Sequence, residues 1–270
     1  MFLVFDTETT GLPKNYNSPV SDSDNWPRLV QIAWQLHNAS GHLISAENYI
    51  VRPDGFDIPF NSAKIHGIST DYAKEHGLAL EEVLTLFEKV LSKSKIVVGQ
   101  NIEFDLNIVG AEHYRLGMSS PLLQLPTIDT KEDGTEFCAI PGGKGGKYKW
   151  PTLTELHQKL FGEGFDAAHN AAADVDATAR CFLEMLRIGV ISSQSAQFTP
   201  EQFARFREQN PSPFPLLGIK VDNYEEALEE TETLNPTTEV QSIQNATGIR
   251  FAHLHVHSQF SVLEATCDIK

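Results

Sequence analysis

The first residues suited to chemistry are two acids that lie two positions apart, Asp6 and Glu8. They follow the apolar residues 2–5, which predict a buried strand, and Gly11 marks the exit turn. Side chains two apart on a strand point to the same face, so both carboxylates should be crowded together. A cation or a shared proton would relieve their repulsion and desolvation. The alternative is a strand that ends in solvent, with both acids hydrated.

Three further residues with acid–base or ligand chemistry lie where other elements should begin. Asp105 lies in the first turn of a predicted helix, just after the short apolar strand 96–98. His169 and Asp174 lie in a segment that leads into a predicted Ala-rich helix. Because loops at strand ends gather at one edge of an α/β sheet, we expect these groups to meet the first acidic pair. Taken singly, each has an ordinary alternative, as a helix-start acid, a surface histidine or a solvated helix residue.

Four carboxylates in one pocket would repel one another strongly unless cations bind there. Oxygen ligands suit Mg²⁺ or Mn²⁺ better than Zn²⁺. Two such ions about 3.5–4 Å apart form a site for in-line displacement at phosphorus, where one activates water and the other stabilises the leaving 3′ oxygen. His169 would be the general base, since the pKa of histidine lies near working pH. The predicted metal ligands are Asp6, Glu8, Asp105 and Asp174.

Positioning these groups requires a sheet with helices packed on its faces. Strand patterns come first and then alternate with helical ones, at 2–5, 29–36, 43–51, 96–98 and 127–129. Helical patterns lie at 80–91, 103–116, 152–161, 171–186 and 199–209. Three antiparallel strands followed by parallel ones predict an α/β fold with a mixed sheet flanked by helices.

The composition is that of a globular chain with a strong acidic excess. Its 270 residues carry a formal net charge of −15 and are 41% hydrophobic. This charge argues against a broad nucleic-acid surface, but not against a metal-dependent nuclease, whose ions supply positive charge locally. Three scattered cysteines indicate a reducing cytosol, and no signal peptide or membrane-spanning run is predicted. We therefore expect a cytoplasmic protein with no membrane partner.

The acidic and histidine motifs together resemble the three exonuclease motifs of the DEDDh 3′–5′ exonucleases. The matching segments are 5–11, 101–105, and His169 with Asp174, and the resemblance covers roughly residues 1–187. It implies a ribonuclease H-like fold and removal of nucleoside monophosphates from a 3′ end. It also implies two divalent cations, Mg²⁺ or Mn²⁺, on the four carboxylates, with His169 as base. Four residues should line the pocket of the terminal nucleotide: Thr9, Leu12, His66 and Phe104.

Two parts of this substrate prediction have structural alternatives. Phe104 could stack on a base or could be a core aromatic at the start of a helix. The Gly-rich segment 142–151 could be a flexible, substrate-facing loop, with three lysines for phosphates and Tyr148 or Trp150 for a base. Its alternative is a solvated loop in which Trp150 anchors the next helix.

The C-terminal part contains a row of alternating histidines, His253, His255 and His257. They share a strand face suited to metal, or simply form a polar face. Residues 251–264 resemble the opening of the polymerase-and-histidinol-phosphatase (PHP) domain of bacterial DNA polymerase III alpha subunits. That implies a covalently linked polymerase. We assign no working second metal site to this chain.

We predict three regions along the chain. Residues 1–190 form the 3′–5′ exonuclease domain. Residues 191–245 form a linker with short helices, acidic at 221–240, and 246–270 are the truncated start of a PHP domain.

The expected function is proofreading for a fused replicative DNA polymerase, by a metal-dependent exonuclease acting on a single-stranded or frayed 3′ DNA end. The first alternative is an RNA or small-oligonucleotide 3′–5′ exonuclease of the same family. The second is a non-catalytic nucleic-acid binding or tethering module, which has no reason to keep the strain of four carboxylates. A third alternative, a PHP-type phosphoesterase, is disfavoured because too few residues follow His257 to supply its remaining metal ligands. The oligomeric state is left open.

Overall fold

The sheet of this protein has five strands, in the order β3-β2-β1-β4-β5, in a computed structural model that describes residues 1–165 and 170–218. The first three strands are antiparallel neighbours, whereas β4 pairs parallel with β1 and β5 parallel with β4. The strands are β1 Phe2–Thr9, β2 Leu29–His37, β3 Leu43–Ile50, β4 Ile96–Gly99 and β5 Thr127–Asp129. The predicted mixed sheet is therefore confirmed.

Eight α-helices are found in the described ranges. They are α1 Phe60–His66, α2 Thr70–His76, α3 Leu80–Leu91, α4 Ile102–Leu116, α5 Thr130–Cys138, α6 Leu153–Phe161, α7 Ala171–Ile188 and α8 Pro200–Gln209. The five predicted helices are confirmed to within about two residues, and the predicted Thr152 cap of α6 is part of a reciprocal capping box with Glu155. The helices α1, α2 and α5 were not predicted.

Alternate residues of β1 enter two separate cores on the two faces of the sheet. Phe2 and Val4 pack with α7 on one face. Leu3 and Phe5 pack with α3 and α4 on the other. Because the strand alternates, Asp6 and Glu8 share the face that α7 covers, and Thr7 shares the face that α4 covers.

Residues 191–218, which the sequence analysis assigned to a linker with local helix, pack onto the domain. Ile191 and Phe206 are fully buried in the core on the α7 side. The Oδ2 atom of Asp176 on α7 accepts the backbone N–H groups of Leu217 and Gly218, both at 2.9 Å. Residues 219–245 and 246–270, with the acidic stretch and the histidine row, lie outside the described residues. The domain limits therefore stay predictions.

No helix in ranges 1–165 and 170–218 is long and apolar enough to cross a membrane. Cys138 and Cys181 are buried free thiols. The pKa of Cys181 is raised by burial, which keeps this thiol protonated and inert at neutral pH.

Candidate active site

Three of the predicted ligands, Asp6, Glu8 and Asp174, meet at the carboxyl end of β1. One carboxylate oxygen from each lies within 4.8 Å of the other two. The first two come from alternate positions of β1, and Asp174 comes from the first turn of α7. The start of α7 is set by Asn170, whose side chain accepts the N–H of Ala172 at 3.0 Å. Strand alternation and helix capping together therefore direct the three acids to one point.

Asp105 approaches this point from the opposite face of the sheet, where it lies in the first turn of α4 and is 3% exposed. Its Oδ1 atom accepts the backbone N–H of Thr7 at 3.0 Å and the Thr7 hydroxyl at 2.6 Å. β1 pairs with β4 only as far as Val4, so Asp105 takes the place of a strand partner at Thr7. Asp105 is not one of the three acids within 4.8 Å, but its charge is close enough to raise the pKa of Asp6.

Burial and mutual repulsion disfavour the charged forms of these acids. The pKa of Asp6 is raised well above its ordinary value, first by burial and then by the charges of Asp105, Asp174 and Glu8. Burial, followed by the charges of Asp174 and Asp105, raises the pKa of Glu8 in the same way. Burial raises the pKa of Asp105 to about 7, against the two Thr7 hydrogen bonds, which lower it. A set of partly buried oxygen ligands that repel one another fits a divalent cation.

His169, the predicted general base, lies in segment 166–169, outside the described residues. Its role therefore stays a prediction. Asn170 beside it is buried and caps α7.

Two of the residues predicted to bind the terminal nucleotide lie together at the end of β1. His66 is buried, and burial lowers its pKa to about 4, against a backbone hydrogen bond with Thr9. The Ser62 hydroxyl, on the same helix as His66, donates to the carbonyl of Thr10 at 2.9 Å. Helix α1, which the sequence did not predict, is therefore held against the site. Leu12, just beyond, is 66% exposed.

Phe104 is partly buried and packs against the core on the α3–α4 side. This packing is the alternative that the sequence left open for it, a core aromatic at a helix start. Its predicted role with nucleotides stays a prediction.

Among the described residues, Thr7 contacts a predicted ligand directly and was missed by sequence reasoning. The signal was present, because the middle residue of Asp-Thr-Glu must face away from the two acids. On that side lies α4, which carries Asp105.

The Gly-rich segment has one lysine committed to a structural ion pair. Lys149 Nζ lies 2.7 Å from Glu155 Oε1, at the start of α6. Trp150 is 63% exposed, so burial of its ring does not anchor α6. Whether this segment is a substrate-facing loop or a solvated one therefore depends on Trp150, Lys144 and Lys147.

Comparisons with known proteins assign the chain to a family. The family model RNase_T, described as "Exonuclease", matches residues 3–182. A DNA polymerase III PolC-type protein of Streptococcus pneumoniae is 29% identical over 179 residues, which are 66% of this chain and 11% of the relative. A DNA polymerase III subunit epsilon-like protein of Rhodobacter capsulatus is 30% identical over 187 residues, 68% of this chain and 23% of the relative. The chain thus spans a small part of these relatives.

Solved structures of E. coli Exonuclease I share the fold. The complex with a dA16 oligonucleotide has a TM-score of 0.53 at 19% identity and covers 76% of this chain and 42% of that one. A zinc-bound complex of the same enzyme with single-stranded DNA has a TM-score of 0.53 at 21% identity, with the same coverage. The predicted ribonuclease H-like fold is therefore confirmed. The family match over residues 3–182 shows that this chain belongs to the exonuclease family.

Proposed function

We propose that this chain is a metal-dependent 3′–5′ exonuclease of the DEDDh type, which releases nucleoside monophosphates from DNA 3′ ends. The observation that carries the proposal is the convergence of Asp6, Glu8 and Asp174 within 4.8 Å, in a domain of the exonuclease family. A non-catalytic module would gain nothing from three half-buried acids at one point, where burial and neighbouring charges raise the pKa values of Asp6 and Glu8.

The residues of the site would have three different roles, as metal ligands, as a positioning residue and as a base. Asp6, Glu8 and Asp174 would hold divalent cations, with Asp105 as the fourth ligand. When bound, Mg²⁺ or Mn²⁺ would supply the positive charge that offsets the charge developing on the phosphate. Thr7 fixes the carboxylate of Asp105 through two hydrogen bonds, which keeps this ligand in place before the cation arrives. His169 would take the proton of the attacking water at a ring nitrogen.

The relatives and the cost of unpairing both support the proposed substrate. Exonuclease I binds single-stranded oligonucleotides, and the sequence relatives are polymerase III proteins. A duplex end must unpair before its last phosphodiester reaches the carboxylates, and the free-energy cost of unpairing is lowest at a mismatched end. We therefore propose proofreading of a single-stranded or frayed 3′ end, with a covalently linked polymerase as partner and a cytoplasmic location.

The test is digestion of a 5′-labelled DNA oligonucleotide with Mg²⁺. The expected product is a ladder of shortened, still-labelled strands, and Asp105→Ala should abolish it. Glu81→Ala, which removes an exposed acid on α3, is the matched control and should digest like the wild type. Release of the labelled 5′ nucleotide first, or full activity in Asp105→Ala, would overturn the proposal.

Two further measurements refine the assignment. His169→Gln should lose hydrolysis but keep Mg²⁺ binding in calorimetry, as expected for a base that is not a ligand. Matched DNA and RNA strands of the same sequence decide the sugar preference, which the carboxylate geometry leaves equal. Faster digestion of RNA would replace proofreading with the RNA-trimming alternative.

A further inference from the structure

Trp150 differs from the other two tryptophans of the chain in its exposure. Trp26 and Trp34 are 3% and 1% exposed, whereas Trp150 is 63% exposed. A single exposed aromatic residue is ordinary on a protein surface, so exposure alone carries no function. The surroundings of Trp150 must decide whether its ring is built for a ligand.

The backbone on both sides of Trp150 is held in place. The Gln100 side-chain amide donates to the carbonyl of Pro151 at 3.0 Å, and Gln100 Oε1 accepts the Thr130 hydroxyl at 2.6 Å. On the other side, the Lys149 N–H donates to the carbonyl of residue 140 at 2.9 Å. An exposed ring on a fixed backbone loses little entropy when a ligand stacks on it.

The Gly-rich segment before Trp150 folds back on itself. A Cβ atom on Gly143 would lie 2.2 Å from the carbonyl oxygen of Tyr148, so only glycine fits this approach. Residues 142–150 contain three lysines and no acid, and although Lys149 pairs with Glu155, Lys144 and Lys147 keep this stretch locally basic in an acidic chain. Phosphate binding requires such local positive charge.

Lys131 contacts both the Trp150 ring and Asn101, which lies next to the candidate active site. Its Nζ atom lies 4.3 Å from the centre of the Trp150 ring, and it donates a hydrogen bond to Asn101 Oδ1. Asn101 immediately precedes α4, whose first turn carries Asp105. At 1.5 Å per residue, Asn101 and Asp105 are separated by about 6 Å along the helix. The ring therefore lies within reach of a strand whose 3′ end occupies the carboxylates.

The chemistry of the pair matches a single-stranded nucleic acid. Lys131 covers one face of the ring, and the large exposed fraction leaves the other side open to a base. An ammonium group has three donors, so Lys131 can bind Asn101 and also meet a phosphate. Aromatic stacking tolerates every base, as an exonuclease requires.

On the basis of the proposed function, we propose that Trp150 and Lys131 form a binding platform for single-stranded DNA. A base upstream of the terminal nucleotide stacks on Trp150, and its phosphate contacts Lys131. The platform would favour strands of several nucleotides over dinucleotides, and would hold the strand between successive cleavages.

The test uses the exposure of Trp150 as its readout. With Ca²⁺ in place of Mg²⁺ to slow hydrolysis, the full chain is titrated with the thymidine octamer (dT)8 and the dimer (dT)2. Because Trp26 and Trp34 are buried, quenching by DNA should report on Trp150. The octamer should quench this fluorescence, and the dimer, which is too short to reach the platform from the carboxylates, should quench it much less. Absence of quenching by (dT)8 would overturn the platform.

Variants test the same point by anisotropy of labelled oligonucleotides. Trp150→Ala should raise the Kd for (dT)8 about tenfold relative to that for (dT)2. Trp150→Phe should restore most of the preference, and Tyr114→Ala, which removes another exposed aromatic residue, should behave like the wild type. An unchanged preference in Trp150→Ala would overturn the platform.

The two proposals fail separately. Digestion by the wild type without quenching by (dT)8 would remove the platform and leave the exonuclease assignment intact. Quenching by (dT)8 without any digestion in Mg²⁺ would remove the exonuclease assignment and leave a DNA-binding surface.

Discussion

Thr7 binds Asp105 with both its backbone N–H, at 3.0 Å, and its hydroxyl, at 2.6 Å, and both bonds end on the same carboxylate oxygen. The two residues belong to different layers of the fold, one on β1 and the other on α4. The bonds favour the charged form of Asp105, which burial disfavours. Thr7 is therefore a positioning residue for a proposed metal ligand.

Removal of the Thr7 hydroxyl should weaken cation binding. Thr7→Val keeps the shape but leaves Asp105 with one hydrogen bond fewer. Loss of a hydrogen bond to a charged group costs about 1.5–3 kcal/mol, so Mg²⁺ affinity in calorimetry should fall about ten- to hundredfold. Thr7→Ser, which keeps the hydroxyl, should bind Mg²⁺ nearly as well as the wild type. Equal affinities in Thr7→Val and the wild type would show that the tether has no role in binding.

Replacement of Asp6 by Asn should stabilise the metal-free protein at alkaline pH. The raised pKa of Asp6 means that the fold holds its proton at pH values where the unfolded chain, with a carboxyl pKa of about 4, has lost it. Stability from this group is therefore present at low pH and is lost as the pH rises through the raised pKa. Asn carries no charge and avoids this loss.

The measurement is the difference in Tm between Asp6→Asn and the wild type in EDTA, at pH 5 and at pH 8. The two proteins must be compared at each pH because His66, with its pKa lowered to about 4, makes the stability of both rise between about pH 4 and 6.5. Subtracting the two Tm values removes this shared contribution. The variant should gain at pH 8 relative to pH 5, and Mg²⁺ should raise the Tm of the wild type alone. A variant that is less stable than the wild type at pH 8 without metal would contradict the assignment.

Residues 210–218 should contribute to the stability of the exonuclease domain. In a chain that ends at Gln209, Asp176 loses the N–H groups of Leu217 and Gly218, and Arg180 loses the carbonyl of Phe214. Each of the three lost bonds to a charged group costs about 1.5–3 kcal/mol, so the Tm should fall by roughly 10–35 °C against a chain that ends at 218. Calorimetry of the two truncated chains checks this, and equal Tm values would show that the segment adds nothing.

Substitution of Gly143 should act on DNA binding through the loop. A Cβ atom there collides with the Tyr148 carbonyl, so Gly143→Ala must move the backbone that leads to Trp150. We expect the Kd for (dT)8 to rise severalfold. Gly164→Ala, which meets no atom within 4 Å, is the matched control. Unchanged binding in Gly143→Ala would show that the loop adapts without displacing the ring.

The sheet and the long helices could be predicted because their hydrophobic patterns are strong. Residues 80–91 place their apolar side chains on one face of α3, and five of them are buried. The helices α1 and α2 have seven residues each, too short for such a pattern, and form because they pack against their neighbours. In α5, Gly134 weakens the helical signal, and its close packing against Leu156 and Met185 appears only in the folded domain.

The meeting of the acids could be predicted from topology, but the details of the site could not. The acids interrupt the apolar run and so predict that β1 ends at residue 5, whereas pairing with β2 continues to Thr9 and Leu29. The bond between Thr7 and Asp105 depends on β4 pairing no further than Val4, which is a property of the assembled sheet. No local pattern in the sequence predicts this bond.

The convergence of two layers on β1 also sets the point in synthesis at which the carboxylate site is complete. Asp6 and Glu8 are translated first, and 168 positions separate Asp6 from Asp174. At about 5–20 residues per second, the ribosome needs roughly ten to thirty seconds to supply the last acid. A nascent chain with only Asp6 and Glu8 would lack the other carboxylates that are proposed to hold a cation. Under the proposed function, nucleic acid would be degraded only after α4 and α7 have both been synthesised and have docked on the sheet.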